Sequence, residues 1–503
     1  AVGYQSLDAN TTGNNSVAIG TYSLSAASTG SGNTAVGTYS LNATTTASDN
    51  VAVGNSCLQL NTTGTSNVAV GHAALYANTT ANNNTGVGKN ALGANTTGTQ
   101  NTAIGALSLD ANTTAGNNTA VGYNAVSGNT TGTENTGIGR QALLTNTTGN
   151  YNVAVGVNAL YQSTTASHNT ACGNSSLAAN TTGAYNTAVG SQALDANDEA
   201  NYNTALGYAA GSAINGATAN TNVAVGALAL QYNQSGNSNT AIGYISLNNA
   251  AGSQNTAVGS RALQDMTTGD DNTALGFHAL HTNTTASDNT AVGSNALFAN
   301  TTGTNNTAVG STALDANTTG GGNVAVGDMA LSAVTTNNNN TAVGHKSLFS
   351  NTAANNTGVG LYALLNNTTG TTNVAVGTFA LDANTTADQN TAIGYDALGA
   401  TTTGDLNVAI GSYAMNNSTT ADRNVAIGAQ AMSNYSASGD NYSVSVGFRS
   451  CNATTTASQF VAVGGDALKS TTTGGSNVGI GYGAGASLTT GSNNVIAGTA
   501  VMQ

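Results

Sequence analysis

His278 and His281 are the only histidines in the chain close enough to share a metal ion. A His-x-x-His pair is half of a zinc site. It needs a third ligand and a partner for each second ring nitrogen. No third ligand stands at a fitting spacing, so the pair is expected in a solvated turn. Asp8, Asp110, Asp195, Asp315 and Asp382 fall at one position of a repeat described below. A column of Asp could hold calcium, but coils without Asp separate these five, and the calcium-binding nonapeptide pattern is absent. Asp198-Glu199 and Asp270-Asp271 are the densest acid pairs, and solubility is reason enough for them. Acid–base or nucleophilic catalysis needs convergent titratable groups. None converge here, so the sequence assigns no catalytic, cofactor-binding or metal residue, and an enzyme is not expected.

Other motifs read as structure. Cys57, Cys172 and Cys451 are far apart and form no ligand spacing, which suits small buried hydrophobes. Gly30 to Asn33, "GSGN", carries no Lys and no phosphate-loop spacing. Asn10-Thr11-Thr12 and Asn78-Thr79-Thr80 are glycosylation triplets in form. They follow the repeat, however, and read as turn and ladder residues. Tyr22, Tyr39, Tyr208, Phe277, Phe298 and Tyr395 flank turns and could meet a glycan or receptor. No cluster among them marks a site.

The composition excludes several classes. Of 503 residues only 5% are charged, with seven Lys and Arg and a net charge of −13. Binding to nucleic acid or to an anionic membrane surface needs basic patches, so neither is expected. No apolar run reaches the length of about 18 residues needed to cross a membrane as a helix. Low charge with few aromatics often means disorder, yet the hydrophobic 39% is placed in strict register.

That register is the main signal. A Gly ending Ala-Val-Gly recurs 30 times from Gly3 to Gly498, and 25 of the 29 intervals are 17 residues. The others are Gly207 to Gly226 and Gly428 to Gly447, each 19, and Gly243 to Gly259 and Gly344 to Gly360, each 16. The coil Lys89–Gly105, "KNALGANTTGTQNTAIG", serves as the reference, and each column of the repeat is named by its residue there. The Ile104 column is Val or Ile, the Thr102 column Thr or Val, and the Ala103 column Ala with occasional Gly. The Leu92 column is Leu in 23 of 30 coils. Alternation around Ala103 has the period of a strand. Gly and Asn supply the turns. Each repeat therefore reads as one coil of an all-β parallel β-solenoid or β-roll, with two short strands and two turns. About 30 coils would form a single continuous repeat domain over residues 1–503. Stacking pairs strands about 4.8 Å apart and aligns like residues, with Asn amides chained along the axis. Because Ala1-Val2-Gly3 is the tail of the phrase, the chain reads as a fragment of a longer polypeptide.

Asn15 to Gly20, "NSVAIG", resembles the head repeat of trimeric autotransporter adhesins of the Yersinia type. Gly122 to Gly139, "GYNAVSGNTTGTENTGIG", is similar to repeats of phage tail-fibre-like proteins. The resemblance covers essentially the whole chain, although the coil is longer than is typical of adhesin heads. It implies a left-handed roll, three chains together, displayed outside the cell or on a virion and used for adhesion.

The expected function is therefore a non-enzymatic structural or adhesive extracellular fibre segment. Its expected partners are copies of itself and a glycan or surface receptor, with no cofactor, no nucleic acid and no membrane insertion. An ice-binding solenoid and a phage tail-fibre shaft are the alternatives. If the Ile104 and Thr102 columns point into the coil, the Ala103 column points out. A homotrimer contact through Ala35, Ala52, Ala69, Ala103 and Ala120 would then explain its uniformly small side chains. The competing reading places that column inside. In the coil of 19 residues after Gly207, Gly211 interrupts the Leu column, and Ile214 is expected to fill the gap.

Overall fold

The structure, a computed structural model, describes residues 1–502. The chain is an all-β solenoid with 29 parallel three-residue strands, one per coil, and no helix among the described residues. It divides into two compact units, Ala1–Gln254 and Asn255–Gln503. In the first, strands run from Val17–Ile19 to Thr240–Ile242, each hydrogen-bonded to the next. In the second they run from Thr256–Val258 to Val495–Ala497, with an extra two-residue pair, Ala421–Asp422 beside Gly439–Asp440. Register is column on column: Thr102 pairs with Thr119, Ala103 with Ala120 and Ile104 with Val121.

One strand per coil, not two, is what forms. The second expected strand is replaced by a run of turns. In the reference coil Asn90, Leu92 and Gln100 take φ values of 56°, 53° and 60°. Intercoil hydrogen bonding continues through this run. The Asn90 N–H donates to His72 O of the preceding coil (2.9 Å), and the Leu92 N–H to Ser108 O of the following one (3.0 Å). Gly88 has φ 136°, and a Cβ there would lie 2.5 Å from the backbone of Gly105. That close approach, repeated down the stack, is why this position is Gly in every coil.

Which face is inside differs from the expectation. Ala103, Ala120 and Ala154 are fully buried within a single chain. Ile104 and Ile138 are 42% and 40% exposed, and Thr102 is half-buried. The Ala column is thus the interior, and it offers no contact to another chain. Its small size has an internal cause. Where Gly replaces Ala, at Gly137 and Gly479, an added Cβ would lie 2.5 Å from Val126 Cγ2 and 2.7 Å from Leu468 Cγ. The coil is so thin that the Ala column packs directly on the Leu column, with room for a methyl group in most coils and for none at Gly137 and Gly479.

Six columns fill the interior: Ala91, Leu92, Asn95, Gly98, Asn101 and Ala103. The two Asn columns are ladders. Asn95 Nδ2 donates to Asn78 Oδ1 (3.1 Å) and to Gly98 O (2.9 Å). Asn101 Nδ2 donates to Ala115 O (2.9 Å), and its N–H to Asn84 Oδ1 (2.9 Å). Buried amides persist only when satisfied, and here each coil satisfies its neighbour. Off-length coils keep the register. Thr204 pairs with Val223, Thr341 with Thr357 and Val425 with Val444. Ile214 is buried and would touch a Cβ built on Gly211, so it fills the gap as expected. The fully buried Tyr435, in the longer coil after Gly428, and Phe460, in the coil that follows it, stand in for Asn, with ring centroids 6.2 Å apart.

Candidate functional site

Two outward regions stand out once the columns are placed. The first is the strand face, where the Thr102 and Ile104 columns lie side by side on a parallel ladder. The second is a groove along the Asn90 and Gly93 columns, where the turns project side chains sideways. The groove deepens into pits where the Gly93 column is locally small or its neighbours are long. One pit of about 260 Å³ is lined by Ala73, Tyr76, Asn90, Gly93 and Asp110. Another, of about 290 Å³, is lined by His278, Asn295, Phe298 and Asp315. Both end on an Asp of the Gly93 column.

The electrostatics of these Asp residues are unusual for a surface. Burial pushes the carboxyls of Asp110, Asp195 and Asp315 above the ordinary range. Asp382 is pushed up to about 6, first by burial and then by Asp396 nearby. Asp110 Oδ1 and Asp315 Oδ1 accept no hydrogen bond. The same is true of Asn124 Oδ1 and Asn158 Oδ1 in the Asn90 column. These four oxygens are closed off from solvent, in keeping with burial as the first cause of the Asp110 and Asp315 shifts.

His278 and His281 do come together, with ring centroids 4.8 Å apart, packed against Phe277 and Phe298. Burial lowers the pKa of both, and His281 adds to the shift of His278. His281 Nδ1 lies 3.7 Å from Asp265 Oδ2. Among the described residues no three His, Cys, Asp or Glu side chains could hold a metal ion together. Cys57 and Cys451 are buried and Cys172 is exposed, all three as free thiols. Burial raises the Cys451 thiol to about 12, which leaves it protonated and unreactive. The Asn residues of most glycosylation triplets, Asn78 among them, are fully buried ladder members, whereas Asn10 in the first coil is exposed.

The aromatics that the sequence left scattered form stacks. Tyr151, His168, Tyr185 and Tyr202 occupy one column, with successive centroids 4.8, 4.8 and 5.0 Å apart. Tyr22 and Tyr39 stack at 5.2 Å. Neighbouring faces cover one another, and the rings stay about half exposed, Tyr151 at 49% and Tyr202 at 58%. Sequence reasoning missed the outward strand face and the pits. The signal for the pits was present in the Gly93 column, which reads Tyr76, Gly93, Asp110, Ser127 and later Tyr161, Ala178, Asp195, Ser212.

No family model matches the chain, and no curated protein is detectably similar to it.

Proposed function

We propose that this chain is a segment of an extracellular structural or adhesive fibre, displayed on a cell or virion and without a catalytic role. The observation that supports the reading is the outward Ile104 column. It places an exposed or half-exposed Val, Ile or similar side chain at the same point of coil after coil. Contiguous apolar patches beyond about 300–600 Å² on a soluble chain mark interaction surfaces. One such side chain per coil, flanked by Thr or Val, makes a stripe of that order in either unit. Self-association through this stripe, with three copies as the resemblance implies, replaces the contact first expected through Ala. A net charge of −13 and seven basic residues give no basis for nucleic-acid binding. No helix among the described residues is long and apolar enough to cross a membrane.

The test is the solution mass of the wild type and of an Ile104→Asp/Val121→Asp/Ile138→Asp variant by light scattering. The reading expects a multiple of 49.0 kDa for the wild type and a folded chain of lower mass for the variant. A monomeric wild type would count against self-association. Adhesion itself is checked by retention of labelled chain on cells under flow.

One further reading has a specific observation behind it. Strand triplets such as Thr102-Ala103-Ile104 and Thr119-Ala120-Val121 present Thr and a β-branched apolar side chain outward, in flat rows about 4.8 Å apart. Such an array suits ordered water, hence ice. Thermal hysteresis of the purified chain decides this alternative, and freezing indistinguishable from a serum albumin control removes it.

A further inference from the structure

Down the stack, the Gly93 column holds four blocks of the same form. In the first unit these are Tyr76-Gly93-Asp110-Ser127 and Tyr161-Ala178-Asp195-Ser212. In the second they are His281-Phe298-Asp315-Ser332 and Phe349-Leu365-Asp382-Gly399. Each places a ring two coils before an Asp, about 9.6 Å along the stack, with a small residue directly after it. The blocks recur at unequal intervals, so they are not a by-product of one fixed superrepeat. Two of them coincide with the two pits described above.

We infer that these blocks are binding pits, each taking one pyranose unit of a neutral polysaccharide. The chemistry of the walls selects that ligand. In the first pit Tyr76 offers a 37% exposed ring, Gly93 leaves the floor bare, and the part-buried Asp110 carboxyl lines the wall. Asn90 adds a second polar side chain. The occupant must therefore bring hydrogen-bond donors on one edge and a C–H face on the other. Pits of about 260 and 290 Å³ lie just below the usual range of small-molecule sites, room for one small ring. A phosphate or carboxylate ligand would meet a carboxylate in every block. In the second-unit blocks a cation would meet Lys346, which sits 5.5 Å over the Phe349 ring, and the Arg261 charge felt by His278 and His281; in the first-unit blocks the cation probes below decide. A neutral polyol meets neither objection. Asn158 takes the position of Ala73 in the second block, so that site has an added polar side chain. Sites repeated along the groove of a unit would bind a polymer far more tightly than a single sugar.

The inference rests on the adhesive reading above, and the experiment separates the two. Saturation-transfer NMR on the full chain uses the methyl glycosides of glucose, galactose, mannose and N-acetylglucosamine, with tetramethylammonium and calcium as cation probes. At least one glycoside is expected to receive saturation. A variant carrying Asp→Ala at residues 110, 195, 315 and 382 should lose at least tenfold in affinity with an unchanged circular-dichroism spectrum. A second variant, Gly93→Leu/Ala178→Leu, fills the first-unit pits without touching a carboxylate and should lose part of the signal. The idea is overturned by no transfer to any of the four glycosides, by transfer unchanged in both variants, or by competition from the cation probes. Retention on cells that is equal for wild type and variants would overturn the pits and leave adhesion standing. Glycoside binding without retention would do the reverse.

Discussion

Leu92 sits at φ 53°, a conformation that costs a non-glycine residue about 1–2 kcal/mol. The same column repeats it at Leu75 and Leu109. The offset is burial, since each of these side chains is fully covered, which contributes about 1.5–3 kcal/mol. Leu is thus retained at a backbone position where Asn or Gly would be less strained, because neither could fill the interior. Asp382 shows the opposite balance, a charged group held in an uncomfortable place. Its folded pKa of about 6 lies above the unfolded value. The folded chain therefore gains stability from protonation. That gain is complete below about pH 4 and is lost as pH rises through about 6. Because the carboxyl is half exposed, solvent screening reduces the effect to about 1 kcal/mol. Asp382→Asn should remove it: in urea titrations the variant is expected to gain on the wild type between pH 4 and pH 7. Parallel stability curves would contradict the assignment.

The coil's interior elements are the Asn ladders, and their breaks are as informative as their continuity. Where two Asn of the Asn95 column follow one another, the later side-chain amide donates to the side-chain carbonyl of the earlier. Where the following coil lacks Asn, that carbonyl is orphaned unless a local N–H reaches it, as Gly236 N–H reaches Asn233 Oδ1 (2.8 Å). Asn146, Asn197, Asn317 and Asn384 have unpartnered Oδ1 atoms, and the next residues in their column are Ser163, Ile214, Val334 and Thr401. Ser163 Oγ is itself unpartnered. Ser163→Asn should therefore join two ladder segments, giving Asn146 Oδ1 a donor and Asn180 Nδ2 a second acceptor. A gain of about 1 kcal/mol is expected, read as a higher urea midpoint. Ladders of this kind were legible in the sequence, because buried Asn at a fixed interval has few other uses. So was Ile214, whose apolar side chain beside a lapse in the Leu column could be matched to the gap. The inward face was not legible. Val and Ile are more hydrophobic than Ala, and alternation alone cannot say which set is inside. The thickness of the coil decides, and it follows from turns whose positive φ values are not written in residues such as Leu92 and Gln100. The pits stayed hidden for a related reason: Tyr76 and Asp110 are 34 residues apart in sequence and become neighbours only once coils are superposed.

For the molecule as a whole, near-identical coils make stability a sum of terms between neighbours. Within the first unit any whole coil should then be dispensable. Excision of residues 106–122 would let Thr102–Ile104 pair with Thr136–Ile138, since the columns on both sides match. The shortened chain is expected to keep its β spectrum per residue and its urea midpoint within error. A collapse of either would mean that particular coils, and not the stack, specify the fold. Few charges take part in this cohesion. The ion pair of Arg423 with Asp440 joins an ordinary coil to the off-length coil after it, at the surface, where such pairs contribute little.

Coil-by-coil bonding also has a mechanical consequence. Intercoil hydrogen bonds run along the stack, so tension applied to the two ends of a unit peels one coil at a time. Each release frees 17 residues, about 55–60 Å of contour. Force spectroscopy on the first unit should record a regular staircase of nearly equal, low-force steps instead of one large rupture. Such a chain would dissipate a pull gradually and wind back when the load is removed, behaving as a yielding tether more than as a rigid strut.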